Sequence, residues 1–383
     1  MSDFPWIIGL MSGTSMDGID AALLRTDGRA VAAFGLARTQ AYTPELRARI
    51  RASLNPVAHG GGDHGLGRAL AEAHAQAVAE LLDAAGLKPG DIRLLGFHGH
   101  TLLHRPHRGR TWQTGDAGLL AKLTGIATVS DFRSQDVAVG GQGAPLVPLY
   151  HRALAEKAGL NLPLLVLNIG GVANVTYIGG PEDADLLAFD TGPGNALLDD
   201  WLHRHTGEAM DAGGRLSAQG SVDEDVLAAM LAHPYFSRPA PKSLDRDDFT
   251  LDPLAELWPA SGAATLAAFT AAAVARGVEL LPKPPLRCLV CGGGRHNPSI
   301  MRELALRLEM PVQPVEAVGW RGDALEAEAF AYLAARAVAG LPLSLPGTTG
   351  AAYPVSGGRL WQPLTAGPLT AGPLANGPLA NGP

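Results

Sequence analysis

Two glycine-rich turns in this 383-residue sequence carry residue types that can bind a polyphosphate. The first, Gly9 to Gly18, follows an apolar strand and adds the hydroxyls of Ser12, Thr14 and Ser15 and the carboxylate of Asp17. Backbone amides in such a loop can converge on phosphate oxygens. Asp17 can hold a magnesium ion through water, because magnesium sheds its hydration shell reluctantly. The alternative is an ordinary hairpin rich in turn-forming residues.

The second turn, Asn168 to Asn174, again follows an apolar strand and contains Gly170 and Gly171. Alone its sequence favours a plain hairpin, but two such turns, one in each half of the chain, can clamp a polyphosphate between them. Another apolar strand runs into Gly292 and Gly293. There a flat adenine ring can lie against the backbone, or the glycines can serve only as a flexible connection to the next helix. No GxxxxGK[ST] sequence occurs, so none of these segments is a P-loop.

Asp190 is the candidate general base. It ends an apolar strand and precedes Thr191-Gly192-Pro193-Gly194-Asn195, a turn that leads into a helix. Ligands of open α/β sheets bind at the carboxyl ends of strands, so this carboxylate should face a crevice. There it can deprotonate an attacking hydroxyl group or water. A turn former or helix cap is the alternative.

Histidines, cysteines and one arginine form the remaining candidates. His98, His100 and His104 suggest zinc, but no HExxH-type pattern completes such a site, which favours sugar contacts or packing. Arg133 follows a strand and can pair with a substrate carboxylate or form a surface ion pair. Cys288 and Cys291 have no second cysteine pair, and residues three apart on a strand face opposite ways, so buried structural thiols are expected.

The elements that must position these residues alternate between strands and helices, which predicts an α/β fold. A strand, a glycine turn and a second strand open each half, which suggests a duplicated architecture. Length favours two domains of roughly 150 residues. We expect an N-terminal domain over residues 1–155 and a C-terminal domain over 156–364. The repeated Gly-Pro-Leu units of 365–383 predict a disordered tail.

Composition narrows the function classes. The chain is 46% hydrophobic with a net charge of −7, so we expect no nucleic-acid partner. The first ten residues lack the basic start of a signal peptide, and the longest apolar run is too short to span a membrane. Two cysteines exclude a disulfide framework and fit a reducing compartment. These features predict a cytoplasmic protein without membrane contact.

The motifs occur together and in order from about Ile7 to Ala351, and together they resemble 1,6-anhydro-N-acetylmuramic acid kinase. The matching segments are MSGTSMDGID, GFHGHTLLHRP, DFRSQDVAVGGQGAPLVP, LNIGGVANVT, FDTGPGN, CGGGRHN and DALEAEAFAYLAARAVAGLPLSLPGTTGA. Any one of them is a weak signal, whereas the ordered set is specific. The Gly-Pro-Leu tail is not part of the pattern.

The resemblance implies the two-domain, ribonuclease H-like fold shared by sugar kinases, actin and the Hsp70 ATPase, with ATP in the cleft between domains. It implies that water opens the anhydro ring at C1 while O6 receives the γ-phosphoryl group of ATP, during peptidoglycan recycling. It also implies ATP and Mg²⁺ as cofactors, and a homodimer. The alternatives are a different kinase of the same superfamily, acting on a linear carboxylate or an ordinary hexose, and a non-catalytic, Hsp70-like nucleotide-binding protein.

By position, the resemblance assigns Asp190 as the base that activates the water and Gly170-Gly171 as the second phosphate-binding turn. It assigns His98, Arg133 and Glu326 to the sugar side and gives His100 no role. The first phosphate loop consists of Gly13, Thr14, Ser15, Met16, Asp17, Gly18, Ile19 and Asp20.

Overall fold

The computed structural model describes residues 4–13, 16, 18–54, 65–244 and 248–363. Two sheets and a separate hairpin account for its strands. The strands are β1 (Trp6–Met11), β2 (Gly18–Thr26), β3 (Val31–Ala41), β4 (Ile92–Phe97), β5 (His100–Arg105), β6 (Arg110–Thr114), β7 (Thr128–Ser130), β8 (Leu164–Ile169), β9 (Val172–Ile178), β10 (Leu186–Pro193), β11 (Cys288–Cys291), β12 (Val312–Pro314) and β13 (Arg359–Trp361). The helices are α1 (Pro44–Ala52), α2 (Leu66–Ala85), α3 (Ala117–Thr124), α4 (Ser134–Ala138), α5 (Pro148–Lys157), α6 (Ala196–Thr206), α7 (Glu224–Leu231), α8 (Pro259–Val278), α9 (Pro298–Arg307), α10 (Leu325–Val338) and α11 (Pro346–Thr349).

The two sheets repeat one topology. The first has the order β13-β7-β4-β1-β2-β3, and the second has the order β10-β9-β8-β11-β12. In each sheet, the first three strands along the chain are antiparallel neighbours. Two later strands extend the sheet in parallel on the other side of the first strand. The duplicated α/β architecture, with an actin-like strand order in both halves, is therefore confirmed.

Alternating burial divides the side chains of the second sheet between two cores. In β8, Leu165 and Leu167 belong to the core that contains the long helix α8, while Leu164 and Val166 belong to the core on the other face. That second face shares a core with residues of the first sheet and with α5 and α10, which lie between the two sheets. Since side chains alternate along a strand, one continuous apolar run can fill both layers.

Glycines set how closely α10 approaches the first sheet. A Cβ atom added at Gly9 of β1 would lie 1.7 Å from the carbonyl oxygen of Ala327, and one at Gly96 of β4 would lie 2.1 Å from that of Phe330. Only glycine leaves the helix backbone in van der Waals contact with both strands. The strand ends that carry the candidate site residues are thereby held against the first turns of α10.

Several boundaries differ from the sequence prediction. The structure adds α1, α5 and the β5–β6 hairpin, none of which was predicted from the sequence. The predicted division after residue 155 stays a prediction; it falls inside α5. The chain end does not stay with the second sheet, because α10 packs on β1, β2 and β4, and β13 pairs with β7. The predicted tail, 365–383, lies outside the described residues.

Among the residues that the structure describes, one helix is long and apolar enough to span a membrane by length and composition. It is α8, and 78% of its most apolar window is packed inside the protein, as is usual for the central helix of a core. We assign it to the core of the second sheet, where Phe269 and Val274 are fully buried.

Candidate active site

The predicted first phosphate loop leaves β1 at Met11 and is anchored by its buried end. The hydroxyl group of Ser12 accepts a hydrogen bond from Tyr42 Oη at 2.6 Å and lies 2.8 Å from His100 Nδ1. Beyond it, Met16 donates its amide to the Gly13 carbonyl at 3.1 Å and has φ +56°. His100, which had no assigned role, thus fixes the start of the loop.

The remaining loop residues divide into two groups. Thr14, Ser15 and Asp17 lie outside the described residues, so the magnesium role of Asp17 stays a prediction. Gly18, Ile19 and Asp20 begin β2. A Cβ atom at Gly18 would meet the Gln40 carbonyl oxygen at 2.4 Å, so this glycine is required for strand packing.

The second turn is closed by the loop that follows Asp190. The amide of Asn195 donates to the Gly170 carbonyl at 2.8 Å, and the amide of Gly194 donates to the Gly171 carbonyl at 2.9 Å. The Cβ positions of Gly170 and Gly171 themselves have no neighbour nearer than 3.6 and 3.7 Å. One side of the turn therefore stays open, as a backbone surface for a ligand must.

The glycines after β11 pack directly against this second turn. Gly292 has φ +75°, and a Cβ atom there would lie 2.4 Å from Asn168 Oδ1. At Gly293 the nearest atom would be Asn195 Nδ2 at 3.8 Å, so this glycine has an open side. Arg295 Nη1 donates to the Gly292 carbonyl at 3.0 Å. The structure thus brings two of the predicted nucleotide-binding segments together.

Asp190 lies near the end of β10, at an irregularity of its pairing with β9. Its carboxylate is half-buried, and Oδ2 accepts a hydrogen bond from the backbone amide of Leu244 at 2.9 Å. Burial raises the pKa of Asp190 from its ordinary 3.8 to about 7, although the Leu244 hydrogen bond works in the opposite direction. Because burial disfavours the charged form, this carboxylate can accept a proton near neutral pH.

His98 and Arg133, both predicted on the sugar side, contact each other. Arg133 donates from Nε at 3.1 Å and from Nη2 at 3.0 Å to His98 Nε2, and from Nη1 to the Gly143 carbonyl at 2.7 Å. His98 Nδ1 faces the Gly99 carbonyl at 2.9 Å and must carry the ring hydrogen, because a carbonyl only accepts. Burial, with help from Arg133, keeps the pKa of His98 well below 6.5, so this histidine is neutral and orients the guanidinium.

Glu326, in the first turn of α10, joins the two groups of candidates. Burial raises the pKa of its carboxyl, the positive charge of Arg133 lowers it, and the negative charge of Asp20 raises it further. Burial raises the pKa of the Cys291 thiol, just before Gly292, and the charge of Glu326 raises it further. The carboxylate therefore lies within electrostatic range of the first phosphate loop, of the sugar-side arginine and of the glycines after β11.

His104 has a partner within its own hairpin, and both cysteines are buried. His104 Nδ1 lies 3.0 Å from Thr111 Oγ1 in the β5–β6 hairpin. Cys288 and Cys291 are buried, and burial raises the pKa of the Cys288 thiol to about 12. Both are unreactive structural thiols, as predicted.

Sequence patterns did not reveal the groups that support Asp190 and Arg133. The Leu244 amide and the Gly143 carbonyl are backbone atoms, and side-chain patterns do not identify them. The segment GGQGAP around Gly143 lies in the matched stretch DFRSQDVAVGGQGAPLVP, but none of its residues had an assigned role.

Comparison with known proteins shows which family the chain belongs to. Residues 5–363 match the family model of anhydro-N-acetylmuramic acid kinase. An anhydro-N-acetylmuramic acid kinase of Rhodospirillum rubrum is 56% identical, over 94% of this chain and 95% of the relative. Another, of Paramagnetospirillum magneticum, is 54% identical over 92% and 98% of the two chains. The chain belongs to the anhydro-N-acetylmuramic acid kinase family. The predictions of the family and of a kinase that binds ATP are confirmed.

Solved structures with related folds are more distant from this family member. Component A of (R)-2-hydroxyglutaryl-CoA dehydratase from Acidaminococcus fermentans is 14% identical with a TM-score of 0.43, over 86% of this chain and 99% of that one. A ROK hexokinase from Thermus thermophilus is 15% identical with a TM-score of 0.36, over 86% and 99%.

Proposed function

We propose that this kinase opens 1,6-anhydro-N-acetylmuramic acid with water while it transfers the γ-phosphoryl group of ATP to O6. The oxygen of water bonds to C1, the C1–O6 bond breaks, O6 bonds to phosphorus, and ADP leaves. One proton of the water passes to Asp190, and the other remains on the new C1 hydroxyl group. The products are N-acetylmuramic acid 6-phosphate and ADP.

The observation that carries this proposal is the environment of Asp190. A half-buried carboxylate with a pKa near 7, held by one backbone amide at a strand end, suits a base that must take a proton from water at neutral pH. Arg133 and His98 form a hydrogen-bonded cationic group for the sugar, and the Glu326 carboxylate interacts electrostatically with Arg133 and with Asp20 of the phosphate loop.

Phosphoryl transfer asks little covalent chemistry of the protein, because positioning and charge neutralisation dominate. In our proposal the open sides of Gly171 and Gly293 hold the nucleotide through backbone contact. The described residues contain no group of three metal-ligating side chains. Magnesium needs only one or two carboxylates beside substrate phosphates, and Asp20 with Asp17 would meet that need. When bound, Mg²⁺ would neutralise phosphate charge.

The ring opening is tested by mass spectrometry of the product made from ATP and the anhydro sugar in heavy-oxygen water. We expect one labelled oxygen, at C1. Glucose and N-acetylglucosamine serve as competing acceptors. A phosphorylated product without the label would contradict hydrolytic opening, and equal use of the other sugars would contradict the substrate.

The role of Asp190 is tested by Asp190→Asn, which keeps the size of the side chain but removes the base. We expect kcat to fall by about 10²- to 10⁴-fold, with ATP affinity by calorimetry largely unchanged. Glu256→Gln, at an exposed carboxylate, is the control. Unchanged turnover of Asp190→Asn would remove this residue from the base role.

We also propose that the protein is a cytoplasmic homodimer that acts in cell-wall recycling, as the family resemblance implies. Light scattering coupled to size-exclusion chromatography tests the dimer, and a monomeric mass would contradict it. Cell fractionation tests the location.

A further inference from the structure

The loop that follows α4 supports the sugar-side arginine. Its Gly143 carbonyl accepts from Arg133 Nη1 at 2.7 Å. The Gly143 amide donates to the buried Asp136 carboxylate at 2.6 Å, and the Gln142 amide donates to the Thr349 carbonyl at 2.7 Å. The loop backbone is therefore fixed on three sides, and its position sets the position of the guanidinium group.

A second segment, Lys242 to Leu244, supports the base in the same way. The amide of Asp190 donates to the Lys242 carbonyl at 2.9 Å, and the Leu244 amide donates to the Asp190 carboxylate at 2.9 Å. Ser243, the residue between these two hydrogen bonds, is exposed. Any shift of this segment moves both backbone partners of Asp190 together.

One side-chain hydrogen bond joins the two supports. Ser243 Oγ donates to Gln142 Oε1 at 2.8 Å, across 101 positions of sequence. The hydrogen-bonded path from Asp190 through Ser243, Gln142 and Gly143 to Arg133 is thus continuous. It connects Asp190, near the end of β10 in the second sheet, with Arg133, which lies shortly after β7 of the first sheet.

We propose that Gln142 and Ser243 form a positioning pair that couples the placement of the base Asp190 to the placement of the sugar-binding Arg133. This inference rests on the proposed function, because it takes Asp190 and Arg133 as the groups that act on water and sugar. Neither member of the pair contacts reacting atoms in this scheme. They hold Asp190 and Arg133 in a fixed position relative to each other.

The proposed coupling predicts that each substitution also affects the half of the site that the substituted residue does not itself support. A purely local structural role does not predict this. Removing the hydroxyl group of Ser243 should raise the KM for the sugar, because Arg133 loses its fixed register. Removing the amide of Gln142 should move the acidic limb of the kcat/KM profile to higher pH, because the Leu244 hydrogen bond, which lowers the pKa of Asp190, becomes weaker. Within the part of the chain that the structure describes, the other titratable groups near Asp190 are Tyr235, whose hydroxyl group donates to the Asp190 carbonyl, and Lys242, which donates from Nζ to the Tyr235 carbonyl at 3.2 Å. Both substitutions leave these groups in place.

The experiment compares Ser243→Ala, Ser243→Thr, Gln142→Ala and the double alanine variant by steady-state kinetics over pH. From the range of a single hydrogen bond we expect each alanine variant to raise the sugar KM by about 3- to 10-fold and to shift the acidic limb upward, with the KM for ATP unchanged. Ser243→Thr, which keeps the hydroxyl group, should behave as wild type. The double variant should be no worse than the poorer single variant.

Ser356→Ala is the matched control, because it removes an exposed serine hydroxyl that donates to the Gly340 carbonyl at 3.2 Å, outside this path. Effects of the two alanine substitutions that multiply in the double variant would contradict the proposed pair. So would a Ser243 variant that changes only the pH profile, or a Gln142 variant that changes only the KM for the sugar. Failure of the proposed function is distinguishable, since it would appear in the wild type as a product without heavy oxygen at C1.

Discussion

At the scale of single residues, burial decides what Asp190 can do. A carboxyl group with an ordinary pKa near 3.8 would be a weak base at neutral pH, whereas one with a pKa of about 7 is matched to the task. His98 behaves in the opposite way, because burial keeps it neutral and so makes its Nε2 atom a permanent acceptor for Arg133. The same physical cause thus prepares one residue to titrate and prevents the other from doing so.

The pH dependence of activity follows from this difference. The base must be ionised, so we expect kcat/KM to rise with pH through an acidic limb near pH 7 set by Asp190. His98 should add no limb between pH 5 and 8. Initial rates across this range at low sugar concentration measure the profile. Activity that is flat from pH 5 to 8 would contradict the assignment.

Stability should depend on pH with the opposite sign. The folded pKa of Asp190, about 7, lies above the ordinary 3.8 of the unfolded chain, so the folded protein keeps a proton that the unfolded chain releases. This residue's contribution to the free energy of unfolding is complete below pH 4 and is lost as the pH rises to about 7. The amide introduced by Asp190→Asn cannot titrate, so this variant does not lose this stability as the pH rises. We therefore expect the difference in melting temperature, variant minus wild type, to increase from pH 5 to pH 8. A difference that does not vary with pH would contradict this account.

At the scale of elements, the contact between α10 and the first sheet depends on glycine. Gly9→Ala or Gly96→Ala would place a methyl group against helix backbone, at 1.7 and 2.1 Å from carbonyl oxygens, so helix or strand must move. We expect each to lower the free energy of unfolding by about 1–3 kcal/mol or more. Gly90→Ala, where a Cβ atom meets nothing within 4 Å, is the control. Urea unfolding of all three variants measures the difference, and equal stabilities would refute the packing argument.

Sequence reasoning located elements best where an apolar run ends in glycine. The strands that run into Gly170 and Gly292 are examples, because a buried strand and its turn are both local in sequence. β10 instead continues beyond Asp190, its predicted last residue, to Pro193. The β5–β6 hairpin was not predicted, since residues 110–114 are mostly polar. The ion and hydrogen-bond partners were also beyond prediction: the Arg133–His98 contact spans 35 positions, and only the folded chain brings them together.

At the scale of the whole molecule, the end of the chain completes the first sheet. Trp361 of β13 donates from Nε1 to Ser130 Oγ at 3.0 Å, and its strand covers the edge of β7. The family match ends at residue 363, just beyond this strand. The first sheet is therefore built from both ends of the sequence.

Two truncations test this arrangement. Deleting residues 365–383 should leave the melting temperature and the activity nearly unchanged. Deleting residues 357–383 also removes β13 and exposes the edge of β7, so we expect a lower melting temperature and a tendency to aggregate. Thermal unfolding and light scattering compare the two. A large loss from the shorter deletion would mean that the Gly-Pro-Leu segment is docked.

The placement of α10 has a consequence for how the protein is made. A ribosome delivers β1, β2 and β4 early, but the helix that must cover their glycine-lined face emerges only after the entire second sheet has been translated. Until then the nascent chain carries an open apolar face. An mRNA truncated before the codons of α10 therefore encodes a chain whose first sheet lacks its covering helix. We expect that product to be inactive, so both halves of the site become functional only once α10 has been made.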